Sequence, residues 1–133
     1  LRPDVQIVNT GTSSLNLSQI TVRYWYTIDS NVPQTYTCDY ATIGCGNITG
    51  GFVQVLPPRT EADYYLQIGY TSGAGSLAPG ANTGSLQDRV NKNDWSNYTQ
   101  SNDYSYNSSL SSYGSWTHVT VYYQGHLIWG TEP

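Results

Sequence analysis

The chain has 133 residues, enough for one domain with a hydrophobic core, and its formal net charge at pH 7 is −4. Its five basic residues are scattered singly, which argues against nucleic acids and anionic membrane surfaces as ligands. The aromatic residues are 13 Tyr and 4 Trp against a single Phe. Because Tyr and Trp combine an apolar ring with a polar group, this composition predicts half-hydrated rings and favours a neutral, hydroxyl-rich ligand.

In chain order, short runs of β-branched and aromatic residues alternate with clusters of Gly, Pro, Asn and Ser. Short strands between turns, without helical periodicity, predict an antiparallel β-sandwich in a single domain. The predicted strands cover 5–8, 20–28, 52–56, 63–70, 84–90, 118–123 and 125–129. The stretches 37–51 and 91–115 are predicted to be long loops, which in a compact domain are usually functional. No apolar run approaches the ~18 residues of a membrane span.

Two cysteines, Cys38 and Cys45, flank a short segment of the first predicted loop. Their spacing lacks the further Cys or His of a metal site and the C-x-x-C of a redox motif. A local disulfide is the simplest interpretation, with two free thiols as the alternative. A disulfide would indicate an oxidising compartment.

Catalysis is weakly supported by the residues available. A glycosidase needs two placed carboxylates, and pairs such as Asp39 with Asp94 show no diagnostic spacing. His118 and His126 are the only histidines, so the chain offers few candidates for a His that activates a nucleophile. We therefore expect a binding protein and not an enzyme.

Oxygen-bearing side chains concentrate at one strand end and in the second predicted loop. Thr27 and Asp29 are two residues apart, so their side chains share a face of a strand. The loop carries a hydroxyl, an amide and a carboxylate at Thr99, Asn102 and Asp103. Calcium is bound by such mixed oxygen donors, whereas ordinary turn capping is the alternative explanation.

Aromatic rings in the hydrophilic loops suggest a stacking surface. Tyr40 and Trp95 each follow an acid, Asp39 and Asp94 respectively. Sugar rings offer apolar C–H faces to an aromatic plane and hydroxyl edges to charged neighbours. The alternative is that these rings fold over the end of the sandwich as a lid.

Several motifs together resemble the family 3 carbohydrate-binding modules. The most specific is the run KNDWSNYTQSNDYS at 92–105, with Arg89 upstream. The runs YWYTID at 24–29, CDY at 38–40, LAPG at 77–80 and LIWGTEP at 127–133 match in the same order. The version with Cys38 and Cys45 is most similar to modules of bacillus-type endoglucanases.

This resemblance implies an all-β, nine-stranded jelly-roll sandwich with a structural Ca²⁺ ion. The implied calcium ligands are Thr27, Asp29, Thr99, Asn102 and Asp103. The resemblance also implies a planar strip that binds crystalline cellulose, in which Arg89 and Asp39 form an ion pair and Gln87 is a polar anchor. By position, the strip would contain Asp39, Tyr40, Arg89 and Trp95, and Gln87 would anchor a neighbouring glucan chain.

The expected function is non-catalytic binding to crystalline cellulose, which targets a linked glycoside hydrolase or scaffold in a secreted bacterial protein. The alternatives are an auxiliary module that feeds single glucan chains to a catalytic domain, and a polysaccharide-sensing ectodomain. The chain departs from the family because the loop after Tyr40 is short and the first family strand is apparently absent. A shallow groove on the opposite sheet would be lined by Arg23, Trp25, Tyr65 and Tyr123, unless these are ordinary outward-facing strand residues.

Overall fold

The computed structural model describes residues 1–133, and nine β-strands form its regular structure together with four short 3₁₀ turns. The strands pair antiparallel throughout, so the predicted all-β jelly-roll sandwich is confirmed. No helix has the length and apolarity needed to span a membrane. The strands are β1 (Leu15–Asn16), β2 (Ile20–Tyr26), β3 (Gln34–Ala41), β4 (Ile48–Arg59), β5 (Ala62–Tyr70), β6 (Ser76–Leu77), β7 (Leu86–Lys92), β8 (Val119–Tyr123) and β9 (His126–Trp129).

The sandwich consists of two layers that enclose one main core. The first layer is a five-stranded sheet in the order β4-β5-β2-β8-β9. The second contains the ladder of β3 with β7, the ladder of β1 with β6, and a bridge between Val8 and Asn82. Alternation along β2 explains the packing, because Ile20 and Val22 are fully buried in the core. Each such side chain contributes about 1.5–3 kcal/mol through burial of apolar surface.

Two of the predicted boundaries are wrong in informative ways. The stretch 37–51 is not a long loop, because β3 continues to Ala41 and β4 begins at Ile48. The segment 5–8 forms no strand beyond the single bridge at Val8. The second predicted loop is present, since no strand occurs between the end of β7 at Lys92 and the start of β8 at Val119.

Strand β7 pairs with β3 on one side, and other parts of the chain satisfy its second edge. The Val90 amide donates to the Leu1 carbonyl over 2.8 Å, and the Leu1 main-chain nitrogen donates to the Val90 carbonyl over 2.9 Å. At the other end of β7, the Tyr113 hydroxyl accepts from the Leu86 amide and donates to the Leu86 carbonyl. The main-chain groups of Leu86 and Val90 on this edge are therefore paired.

Candidate functional site

The outer face of the β3–β7 ladder carries most of the predicted strip. Along β7, Leu86, Asp88 and Val90 are buried, and the intervening Gln87 and Arg89 face outward. On the paired strand, Asp39 and Tyr40 are exposed. Trp95 lies just beyond the end of β7. We refer below to the strip as Asp39, Tyr40, Gln87, Arg89 and Trp95.

A β-bulge in β3 explains why two consecutive residues belong to the strip. Cys38 pairs with Asp88 and Tyr40 pairs with Gln87, so Asp39 is the additional residue between them. A bulge of this kind re-aims a side chain relative to strict alternation. Asp39 and Tyr40 are consequently both exposed, and 52% of Tyr40 is accessible.

The predicted disulfide between Cys38 and Cys45 is present, which confirms the simpler of the two interpretations. The two Cα atoms lie 5.7 Å apart, within the usual range for a disulfide. The bond joins the bulged part of β3 to the 3₁₀ turn Cys45–Asn47, which precedes β4. It thereby restrains the backbone next to Asp39 and Tyr40.

The structure brings the predicted ion pair together. Arg89 Nε donates to Asp39 Oδ1 over 3.1 Å, although the residues are 50 positions apart in the chain. Both side chains are partly exposed, at 44% for Arg89 and 34% for Asp39. A second guanidinium also lies there, since Arg2 Nη2 is 4.0 Å from Asp39 Oδ2. Sequence reasoning missed Arg2, because nothing in its local sequence indicates proximity to Asp39.

A tight turn after β7 presents Trp95 to solvent. The Trp95 amide donates to the Lys92 carbonyl over 2.9 Å, and Trp95 has a φ of 61°, in the left-handed region. Asp94 fastens the turn by accepting from the Ser96 hydroxyl and amide, which also lowers the pKa of Asp94. Trp95 is 72% exposed, so its ring serves no core.

Lys92 lies beneath this turn and is fully buried. Its ammonium group donates to Ser30 Oγ over 2.8 Å and to the Asn97 carbonyl over 3.4 Å. It also lies 4.6 Å from the centre of the Tyr98 ring, a cation–π contact. The ammonium therefore has a partner, Ser30, on the segment after β2, and further partners, Asn97 and Tyr98, on the loop after β7. It connects these two segments, and the second of them carries Trp95.

The predicted calcium ligands converge at the end of β2. Thr27 Oγ1 lies 3.1 Å from Asp29 Oδ1, 2.7 Å from Asn102 Oδ1 and 3.2 Å from Asp103 Oδ1. The Thr99 amide donates to Asp29 Oδ2 over 2.7 Å, which holds the loop against the strand end. We call Thr27, Asp29, Thr99, Asn102 and Asp103 the oxygen cluster.

The two acids of the oxygen cluster have different electrostatic surroundings. Burial raises the pKa of Asp103 to about 7, against the effect of hydrogen bonds from Thr27. Asp29 is exposed, and although partial burial acts to raise its pKa, hydrogen bonds from Asn102, Thr99 and Thr27 outweigh that and lower it. Asp103 Oδ2 is buried without any hydrogen-bond partner. A buried carboxylate oxygen with an unused acceptor fits the oxygen coordination of a hard cation.

The predicted groove on the five-stranded sheet contains Tyr122 in place of Tyr123. Arg23 and Tyr65 face outward together, with the Arg23 guanidinium 4.4 Å from the Tyr65 ring centre. Tyr123 instead packs against the main core. Its neighbour Tyr122 faces outward, with its ring centre 4.2 Å from the Arg23 guanidinium. Trp25 lies on the outward side but is only 2% exposed, in a small cluster with Tyr65. The prediction of Tyr123 in the groove is wrong because alternation in β8 turns Tyr122 outward.

A β-sandwich that exposes aromatic rings and an ion pair along one sheet has the architecture of a surface-binding module. Comparison with known proteins agrees: the family model described as "Cellulose binding domain" matches residues 1–130. A beta-mannanase/endoglucanase A of Caldicellulosiruptor saccharolyticus is 50% identical over 133 residues, which is all of this chain but 10% of that protein. Cellulosomal-scaffolding protein A of Acetivibrio thermocellus is 44% identical over 142 residues, again covering all of this chain and 7% of the relative.

Among solved structures, a biomass-sensing module of Rsgi-like proteins from Clostridium thermocellum superposes with a TM-score of 0.96. It is 42% identical in sequence, and the match covers 100% of this chain and 87% of that one. The chain belongs to the family 3 carbohydrate-binding modules. Members of this family are binding modules and not catalytic domains. The bacillus-type endoglucanase subtype stays a prediction.

Proposed function

We propose that this module binds the surface of crystalline cellulose through the strip. The observation that carries the proposal is the bulge at Asp39, which pairs an exposed carboxylate with Arg89 and exposes the next residue, Tyr40, opposite Gln87. A guanidinium and a carboxylate that pair side by side form a flat, polar unit, which suits a sheet of sugar rings. Trp95 and Tyr40 supply rings for stacking, and Gln87 supplies an amide for hydrogen bonds to glucan hydroxyls.

The strip binds weakly at each position and gains strength from repetition. A stacked ring contributes about 1–3 kcal/mol, by analogy with bases stacked on aromatic side chains. Because cellulose repeats the same sugar unit, several contacts form at once and their combined effect resembles multivalent binding. In this proposal the module holds a linked glycoside hydrolase or scaffold at its substrate in a secreted bacterial protein. The disulfide supports that location, since such bonds persist in oxidising compartments.

Adsorption to microcrystalline cellulose tests the proposal, with chitin and xylan as parallel substrates. Trp95→Ala and Tyr40→Ala should each lower the association constant for cellulose by about tenfold, the scale of one lost stacking contact. Trp129→Ala is the matched control, because Trp129 is 44% exposed on the edge strand of the other sheet. Unchanged adsorption in both strip variants would contradict the proposal.

A sensing role is the second candidate, favoured by the close superposition with a biomass-sensing module. It uses the same strip and differs in the domain to which the module is joined. The sequence adjoining the module in its parent protein distinguishes the two: a glycoside hydrolase or scaffold domain favours targeting, and a membrane segment with a regulatory domain favours sensing.

We further propose that the oxygen cluster holds a structural Ca²⁺ ion. Thr27 and Asp29 would bind it from the end of β2, and Thr99, Asn102 and Asp103 from the following long loop, so the ion would fasten the loop to the sheet. Calcium at about 100 times its dissociation constant stabilises the folded state by ~2.7 kcal/mol. Chelation with EDTA should then lower the melting temperature by about 10 °C, and calcium should restore it. An unchanged melting temperature and no metal in elemental analysis would contradict this proposal.

A further inference from the structure

The segment before Val5 is fastened to the free edge of β7, beside the strip. Leu1 exchanges two main-chain hydrogen bonds with Val90. The Asp88 amide donates to the Asp4 carboxylate over 3.0 Å, so Asp4 replaces a main-chain partner. Arg2 lies between these two anchors, and its carbonyl accepts from the Asp4 amide over 2.9 Å. The backbone of Arg2 is thus held in place although its side chain is exposed.

From this position the Arg2 side chain reaches Asp39, on the far side of β7. Arg2 Nη2 is 4.0 Å from Asp39 Oδ2, whereas Arg89 Nε bonds the other carboxylate oxygen, Oδ1, over 3.1 Å. One carboxylate therefore lies between two guanidinium groups. Arg2 is the most exposed of the three side chains, at 62%.

The Arg2–Asp39 contact contributes little to stability. An exposed ion pair is worth about 0–1 kcal/mol, and this one is at the outer limit of distance. A guanidinium has five N–H donors, and Arg2 donates no side-chain hydrogen bond within the chain. These donors remain available to a ligand that lies on the strip.

We propose that Arg2 is a further cellulose-contacting residue, which widens the strip from β3 and β7 onto the segment before Val5. Its guanidinium donates hydrogen bonds to hydroxyl groups of the glucan surface, next to the sugars that stack on Tyr40 and Trp95. Asp39 orients two planar cations instead of one. This inference rests on the proposed function and adds a binding residue to it.

Arg2→Ala and Arg2→Lys test the inference by adsorption isotherms on microcrystalline cellulose. Arg59→Ala is the matched control, since Arg59 is 45% exposed and lies 3.7 Å from Glu132 on the opposite sheet. Arg2→Ala should weaken association about three- to fivefold, the scale of one exposed charged contact. Arg2→Lys should lose most of the same affinity, because an ammonium group lacks the planar fork of donors.

Both Arg2 variants should unfold at the same temperature as the unsubstituted protein, which separates a binding effect from a folding effect. The inference is overturned if Arg2→Ala binds within roughly twofold of Arg59→Ala, the scatter expected of surface substitutions. It is also overturned if Arg2→Lys binds as well as the unsubstituted protein. Failure of the proposed function gives a different result, because then either the unsubstituted protein does not adsorb, or Trp95→Ala and Tyr40→Ala adsorb as well as it does.

Discussion

Replacement of Asp88 by Asn should stabilise the protein at alkaline pH and leave it unchanged at acidic pH. Asp88 is fully buried, accepts a hydrogen bond from the Tyr36 hydroxyl over 3.0 Å, and leaves Oδ1 without a partner. Burial raises the pKa of Asp88 from 3.8 to about 8, against the Tyr36 hydrogen bond, and the nearby Asp4 carboxylate acts in the same direction as burial.

The sign of the effect follows from proton binding. Between about pH 4 and pH 8 the folded state keeps the Asp88 proton and the unfolded state releases it, so the free energy of unfolding falls as pH rises through this window. The contribution of Asp88 is fully present below pH 4 and lost above pH 8. The neutral amide of Asn does not ionise, so Asp88→Asn should escape this loss, which is at most about 1.4 kcal/mol per pH unit across the window, and should be the more stable protein near pH 8.

Urea denaturation at pH 5, 6, 7 and 8 measures this difference, with Glu61→Gln as a control that removes an exposed acid. The free energies of unfolding of Asp88→Asn and the unsubstituted protein should differ least at pH 5, near the start of the window, and should separate progressively above it. Parallel curves across the range would refute the reasoning, because they would mean that Asp88 titrates alike in the folded and unfolded states.

Two further substitutions separate stability from binding. Trp25→Ala removes a ring that is 2% exposed and should lower the free energy of unfolding by about 3–5 kcal/mol. Adsorption of the remaining folded protein should be unchanged. A smaller loss of stability in urea denaturation would contradict the packing argument. Lys92→Met removes the cation that joins Ser30 to Asn97, and should increase the mobility of the Trp95 indole in ¹⁵N relaxation and weaken adsorption. Unchanged relaxation of the Trp95 indole would show that Lys92 does not position that ring.

Much of the fold was predictable because, along the strands of a β-sandwich, core residues alternate with outward-facing residues, and this alternation is visible in the local sequence. The predicted strand 20–28 corresponds to β2, which ends two residues earlier, at Tyr26, and whose first five residues alternate between buried and partly exposed positions. The disulfide was predictable from the short spacing and the lack of other cysteines. The family resemblance supplied the strip residues, and the structure brings Asp39 and Arg89 into contact.

The errors occur where alternation is interrupted or ambiguous. Strand β3, at Gln34–Ala41, was not predicted, and its second half was assigned to a loop, where the bulge at Asp39 breaks the period of two. Tyr122 and Tyr123 are chemically equivalent neighbours, and only the register of β8 against β2 decides which one faces the core.

By itself, the sequence determined the all-β class, the excess of amphipathic rings and the local grouping of oxygen donors, because these depend on residues close together in the chain. Tertiary structure alone decided that Asp103 has a buried, unpartnered oxygen and that Arg2 reaches Asp39 across β7. It also placed Lys92 beneath the turn that carries Trp95. Burial and charge pairing depend on which distant segments pack together, and the local pattern of residues does not encode that information.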